Sequence, residues 1–528
     1  LVLYRRSQSI ICILSAGVFL LLGQATAFCK TGFVVKPPAP WVKPLTPALK
    51  QTIEGSAAET GSSQILYDRQ INVGDRGVER FYHSVNKVET PAGLDDLSQL
   101  RIYFEPSYQT LTIHFVRLQR GTQTIDALRP GEVKLIQQEE ELDQQLFNGS
   151  QQAVIFLNDL RVGDTIEFAY TITGENPVLA GRYADSFYLA GQHPIRELAL
   201  RLLWPAKRAL AIKSQNTEAQ PTQQSIGANT EYLWYRTNVP AIIEDDETPD
   251  SFDPYPSVSL SEFATWKAVV DWALPMYRPT RLTAPELQGK IEQWRKSSDS
   301  PEQQVTAALR FVQDEVRYLG IELGRYSHQP TLPDKTFARR FGDCKDKSLL
   351  LSSILTTLGI ESWPALVNSR LGESLDSWQP TPFAFDHVIV CAKIKGKTYW
   401  LDPTTSYQRG SLAMYYDPPF ARALVLRENN DSLEHIPVPA SDSGATDVLE
   451  VYRNDVGSRT ISLNVTTVYT GSDADSMRYD LSTQSLAELS KDYLNFYADT
   501  TPSIRADGLP VVDDDPLNNR LVIKERYL

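Results

Sequence analysis

Between about residue 65 and residue 240 the apolar positions alternate with polar ones in short runs: "RFYHSV", "LRIYFE", "TLTIHFVRL", "AVIFL", "DTIEFAYTIT" and "LALRLLW". A period of two marks strands with one buried face, and the turn-rich breaks between runs predict a β-sandwich-like domain over 65–240. Pro, Asp and Ser then dominate "YRTNVPAIIEDDETPDSFDPYPSVSLSEF", residues 235–263, which reads as a connection between domains. Beyond it the period lengthens. Ser300 stands as an N-cap before Pro301 at the first helical position, and Val305, Ala308, Leu309, Val312, Val316 and Leu319 follow at helical spacing.

A second helix is expected to start at Cys344. Asp343 is a good N-cap, Leu349, Leu350, Ile354, Leu355 and Leu358 form an apolar stripe, and Gly359 is placed to end it. "FDHVIVCAKIKGKTYWLDPT", residues 385–404, predicts a β-hairpin turning at Lys395-Gly396. If those two residues form the turn, Ile394 pairs with Lys397 and Ile389 faces Asp402. His387 then lies two residues along, sharing a face with Asp402 at roughly 7–8 Å between backbones. Val388, Val390, Ala392, Tyr399 and Leu401 take the other, core-facing side.

Past residue 430 a linker, "HIPVPASDSGATD", precedes two strands, "VLEVYRND" and "RTISLNVTTVYTG", then one helix over "ADSMRYDLSTQSLAELSKDYLNFYA" and a last strand in "NRLVIKERYL". The expected organisation is therefore a β-sandwich-like domain over 65–240, a mixed α+β domain over 241–430 and a β-rich domain over 431–528, the last expected to be incomplete. A chain of 528 residues accommodates these three at roughly 150 residues each.

The N-terminus carries Arg5 and Arg6, an apolar run from Ile10 to Gly23 and "ATA" at 25–27, the layout of a signal peptide over 1–27. It predicts a secreted or periplasmic protein, or a membrane-anchored one if the segment is not cleaved. Pro37, Pro38, Pro40, Pro44 and Pro47 then mark 28–64 as an extended leader. The formal net charge of -13 excludes the basic footprint that a nucleic-acid partner requires.

Cleavage would leave three cysteines, an odd number. Cys29 and Cys391 could pair, and Cys344 stands apart. A buried structural thiol is the ordinary fate of a lone cysteine. A helix start, however, favours the thiolate through its backbone N–H groups. Together with a strand histidine and a downstream carboxylate, Cys344, His387 and Asp402 are the parts of a thiol acyl-transfer site: nucleophile, general base and orienting group. The Cys344 backbone N–H is a ready oxyanion donor and Gln329 a candidate second one. Asp386 should point to the opposite face as a solvated or capping carboxylate. His83, His114 and His193 are scattered among the predicted strands. No CxxC or HExxH spacing builds a metal site, no cofactor is implied, and the acidic runs "QQEEELDQQ" and "VVDDDP" read as solvated surface.

"GDCKDKSLLLSSILTTLGI", "FDHVIV" and "YWLDPT" resemble the three motif blocks of the transglutaminase-like superfamily, in that order and with similar spacing, over roughly residues 260–425. The resemblance implies a papain-like thiol core acting on protein or peptide amides by acyl transfer or hydrolysis. The alternative it leaves is a non-catalytic envelope protein that uses the β-rich domains to bind a protein partner. The preceding segment, including "LRVGDTIEFAYTI", is similar to a domain of unknown function that stands before such cores in bacterial envelope proteins.

Overall fold

The computed structural model describes residues 32–47, 61–74, 77–139, 142–245, 247–249, 251–416, 419–437, 444–454, 456–457 and 459–528. The segment expected to be a signal peptide and Cys29 lie outside them. Among the described residues no helix is long and apolar enough to cross a membrane.

The alternating N-terminal half forms one long sheet with two small sheets laid on it. The spatial order of its main path is Phe33–Val35, Thr110–Arg120, Thr165–Thr173, Gly77–Val88, Ser62–Gly74, Ile195–Pro205, Asn229–Val239 and Thr222–Ile226. One small sheet, built on Gln99–Phe104 and Gln151–Phe156, buries Leu100, Ile102 and Ile155 against Leu111, Ile113 and Ile166. The other buries Phe187, Val258 and Leu260 against Leu198, Leu200, Trp204 and Trp234. Sheet on sheet with alternating residues facing inward is the layering expected of a sandwich.

Two sequence expectations about the edges of this domain need correcting. The Pro-rich leader is not merely a tether. Phe33–Val35 adds in parallel to Thr110–Arg120, Val42 is buried with Phe81 and Ala169, and Lys43 pairs with Glu231 at 2.8 Å. Three apolar residues at an open sheet edge suffice for a strand, and the prolines lie outside it. Likewise the connecting segment contains Ser257–Ser261, the middle strand of the second small sheet, between Ala184–Tyr188 and Ala211–Gln215. Five alternating residues were hidden by the prolines and aspartates around them.

The following domain opens with four helices, α1 (Trp266–Tyr277), α2 (Pro285–Ser297), α3 (Pro301–Glu315) and α4 (Pro333–Arg339). The cysteine helix α5 follows (Cys344–Leu358). The α3 start is as the sequence predicts, with Ser300 accepting from the Gln303 N–H. A five-stranded antiparallel sheet carries Lys397–Leu401, His387–Ile394, Glu361–Val367, Arg422–Val425 and Glu434–His435 in that order. Val305, Leu309, Val312, Leu350, Leu351, Ile354, Val390 and Leu401 form the core between helices and sheet. The hairpin register is the expected one, Ile394 opposite Lys397 and Val390 opposite Leu401. Its second face is not open, because Ile389 and Cys391 are buried there with Ala365, Val425, Phe420 and Ile436.

In the last domain a four-stranded sheet, Gly444–Asn454, Ile461–Thr470, Arg520–Tyr527 and Val511–Asp515, packs against helices. The single helix expected there is two, α6 (Gly471–Thr483) and α7 (Leu486–Ala498). Ser485 and Glu488 form a capping box that starts α7 afresh.

Candidate active site

Asp343 caps α5, its side chain accepting the Asp346 N–H at 3.1 Å, and Cys344 takes the first helical position. The chain can enter α5 so tightly because residue 342 is glycine: a Cβ there would stand 2.6 Å from the Asp346 Cβ. Gly342 also pairs with Tyr318, which brings that ring beside the cysteine. Cys344 is 8 % exposed and looks into a cavity of about 620 Å³ shared with His387, Lys345, His328, Tyr318 and Phe383.

The hairpin delivers the other two groups. His387 Nε2 donates to Asp402 Oδ2 at 2.9 Å, so Nδ1 is left for Cys344, which lines the same cavity and helps to raise the ring's pKa. Asp402 is buried. Its other oxygen accepts from the Thr404 N–H at 2.8 Å and the Thr404 hydroxyl at 2.6 Å, and this leaves the carboxylate one free direction, toward histidine. Burial pushes the Asp402 carboxyl up, but His387 and Thr404 outweigh it and hold it below the usual carboxylate range. Burial pulls the His387 ring down, and the Asp402 carboxylate together with Cys344 overcomes this and holds it well above the usual imidazole range. An imidazolium between a carboxylate and the cysteine sulfur is the consequence. Phe420, with its ring centroid 5.6 Å from that of His387, packs against the imidazole.

Several groups around these three were not found from the sequence. Lys345 lies buried between Asp343 and Glu322, 2.6 Å from a carboxylate oxygen of each. Lys347 is fully buried and donates to the Val316 carbonyl at 2.7 Å, at the end of α3; burial pushes its ammonium down to about 8 against the pull of Asp402 and Asp314. Gln313, buried on α3, donates to the Asp402 carbonyl at 2.9 Å and so ties α3 to the hairpin. The available signal was charge inside an apolar helical face, in "CKDK" and at Gln313. His328, half-buried beside Trp272 and Phe383, is pushed down to about 4 by desolvation and by Lys345, so it is neutral in the cavity wall. Gln329 is not among the residues lining the cavity. Asp386, exposed just before the strand, accepts from the Ser369 N–H and hydroxyl, both at 2.8 Å, a capping role, and it lines the same cavity as His387. Cys391 is buried and its thiol is pushed up to about 12 by burial, as an inert core group is.

Residues 74–243 match the family model DUF3857, a domain of unknown function with a solved structure. No curated protein matches the chain. Among solved structures, one described as a putative protease from Parabacteroides distasonis ATCC 8503 is 15% identical, covers 89% of this chain and 93% of its own, and superposes with a TM-score of 0.59. A putative cysteine protease from Cytophaga hutchinsonii is 14% identical over 42% of this chain and 74% of its own, with a TM-score of 0.21. Legionella pneumophila aminopeptidase A is 11% identical over 38% of this chain and 21% of its own, with a TM-score of 0.22. The last two superpositions are too loose to build on. The first is a likeness of fold along nearly the whole of both chains, so this mixed α/β multidomain arrangement is shared with a protein described as a protease.

Proposed function

We propose that the chain is a thiol-dependent enzyme of the transglutaminase-like, papain-like kind, acting on protein or peptide amides with Cys344 as nucleophile, His387 as acid and base and Asp402 as the orienting group. The observation that carries this reading is the meeting of a helix start and the two ends of a hairpin: Cys344 and His387 line one cavity, and the buried Asp402 stands behind the imidazole at 2.9 Å. In the first step the Cys344 proton has passed to His387 Nδ1, the thiolate Sγ bonds to the amide carbon as the C–N bond breaks, and that proton passes on to the departing amine. In the second, water or an amine attacks the thioester, gives its proton to His387, and the C–S bond breaks to return the thiolate. The Cys344 N–H, in the first turn of α5, is the donor proposed for the oxyanion. The site needs no cofactor for these steps.

The fold likeness to a protein described as a protease supports hydrolysis as the first activity to assay. Purified protein incubated with a proteome-derived peptide library, and separately with casein and dansylcadaverine, is expected to yield cleaved or amine-labelled products that disappear in Cys344→Ala. Iodoacetamide labelling of Cys344 should be fast at mildly acidic pH and slower in His387→Ala. Equal rates in both from about pH 5 to 9 would defeat the catalytic reading and leave a binding scaffold.

A further inference from the structure

His387 lies on the boundary between two cavities. Cys344 lines only the first, described above, whereas the second, about 1070 Å³, is walled by His387 and Tyr318 on one side and by α6 of the last domain on the other. Resting on the proposed thiol chemistry, we infer that this second cavity is the amine-side subsite: it holds the polypeptide segment that follows the scissile amide nitrogen, and the last domain thereby sets what the enzyme cleaves.

The assignment follows from the roles of the two groups. The acyl carbon must sit on sulfur, so the acyl part of the substrate occupies the cavity that Cys344 lines. The nitrogen must sit within reach of the imidazole that protonates it, so the chain beyond it leaves on the side where histidine is present and cysteine is not. A site for releasing ammonia or a single small amine would need no such volume. Here the volume is continued away from His387 by Ser476, Tyr479 and Asp480 of α6.

The wall is also held in place. The loop after Asp402 docks on α6 where the Arg409 N–H donates to Asp475 Oδ1 at 3.0 Å. In that loop Tyr407 has φ +64°, a left-handed conformation that a bulky residue rarely adopts. Its N–H is anchored by Asp314 Oδ1 at 2.8 Å, and its ring meets that of Tyr479 edge-on with centroids 6.5 Å apart. Thus one loop carries Asp402 at one end and the aromatic wall of the second cavity at the other. Tyr479 and the solvent-facing Asp480 offer stacking and a carboxylate, which suit a polar polypeptide with a basic side chain near the cleaved bond.

The test compares the full-length wild type, Ser476→Trp, which places an indole in the cavity from an exposed helix position, and Tyr479→Ala, which removes the wall. Each is incubated with a proteome-derived peptide library and cleavage positions are read by mass spectrometry, with iodoacetamide labelling of Cys344 as a parallel measure of the thiol site. Wild type is expected to cut bonds that have several residues on the amine side. Ser476→Trp should lose those cuts by about tenfold or more while its labelling rate stays close to wild type, and Tyr479→Ala should shift which residues are accepted there. Unchanged cleavage in both variants would overturn the assignment, as would a wild type that releases only ammonia or one terminal residue, or that cleaves nothing in the library while its labelling stays histidine-dependent. Loss of that histidine dependence would instead strike the thiol reading itself.

Discussion

Among the described residues, two histidine–carboxylate pairs have nearly the same build. In the β-rich domain His83 Nε2 meets Glu167 Oε1 at 2.9 Å, and in the following domain His387 Nε2 meets Asp402 Oδ2 at 2.9 Å. Each joins neighbouring antiparallel strands on a diagonal: His83 faces Ala169, two residues from Glu167, and His387 is two residues from Ile389, the position that faces Asp402 by continuation of the hairpin register. What differs is the surroundings. His83 is enclosed by Phe81 and Phe115, with ring centroids 6.4 and 5.7 Å away. His387 faces a cysteine at a helix start and two cavities. Strand pairing therefore supplies a histidine–carboxylate contact readily, and chemistry depends on a nucleophile being aimed at it from another element.

The largest expected effect separates the pairs directly. On the proposed thiol chemistry, His387→Ala should lower amide turnover by about 10²–10⁴-fold, the usual cost of a lost general base, whereas His83→Ala should leave turnover unchanged and affect only stability. The pH dependence sharpens the contrast. Because the folded His387 titrates well above its usual range, the stability it adds is fully present below about 6.5 and is lost as pH rises through its raised value. Over that same rise the labelling advantage of wild type over His387→Ala should close. Stopped-flow labelling across pH checks this, and equal sensitivity to the two histidine variants would erase the distinction between the pairs.

Next in size is the carboxylate. Asp402→Asn, which keeps the shape but reverses the preferred tautomer, should reduce turnover by about 10²-fold or more, while Glu167→Gln should not change it. Asparagine is the better probe because Asp402 is buried and also accepts from Thr404; alanine there would confound catalysis with unfolding.

Much of the second pair was legible in the sequence because it rests on local rules. The Asp343 cap, the α5 stripe ending at Gly359, and the two-residue turn at Lys395-Gly396 each depend on a few neighbouring residues, and together they set the hairpin register and the face of His387. The first pair was not legible, since nothing local relates residue 83 to residue 167. The same limit applies to Tyr318, Lys347 and Gln313, whose positions depend on how α3 and α5 pack. It applies again to the Phe33–Val35 strand, whose partner is some 80 residues away. The split between α6 and α7 was available locally, in the Ser485 and Glu488 spacing, but the continuing helical pattern masked it.

The two pairs also stand on different ground, and stability measurements can show it. Lys347, on the helix beneath His387, titrates at about 8 when folded against 10.5 as its ordinary value. The folded state then binds fewer protons than the unfolded one between those values, so stability should rise across that window, by up to about 3 kcal/mol from this group. Urea unfolding of Lys347→Met at about pH 7.5, 9 and 10 should show this rise missing. Gly342→Ala should cost about 1–3 kcal/mol by driving a methyl against Asp346, with labelling of Cys344 slowed as the helix start shifts.

The smallest effect belongs to Glu167. His83 holds its carboxyl below the usual range, ahead of the opposing effect of burial, and Arg117 stands 3.9 Å away. Because Glu167 remains in contact with water, screening should limit the pair to less than about 1 kcal/mol. A depressed carboxylate adds stability above its ordinary value, about 4.5, and loses it as pH falls through the folded one. Glu167→Gln should therefore be slightly less stable than wild type near pH 7 and equal to it in strong acid, with no change in Cys344 labelling at any pH. A labelling change in Glu167→Gln would mean that the β-rich pair communicates with the cysteine site, and the separation drawn between the two pairs would fail.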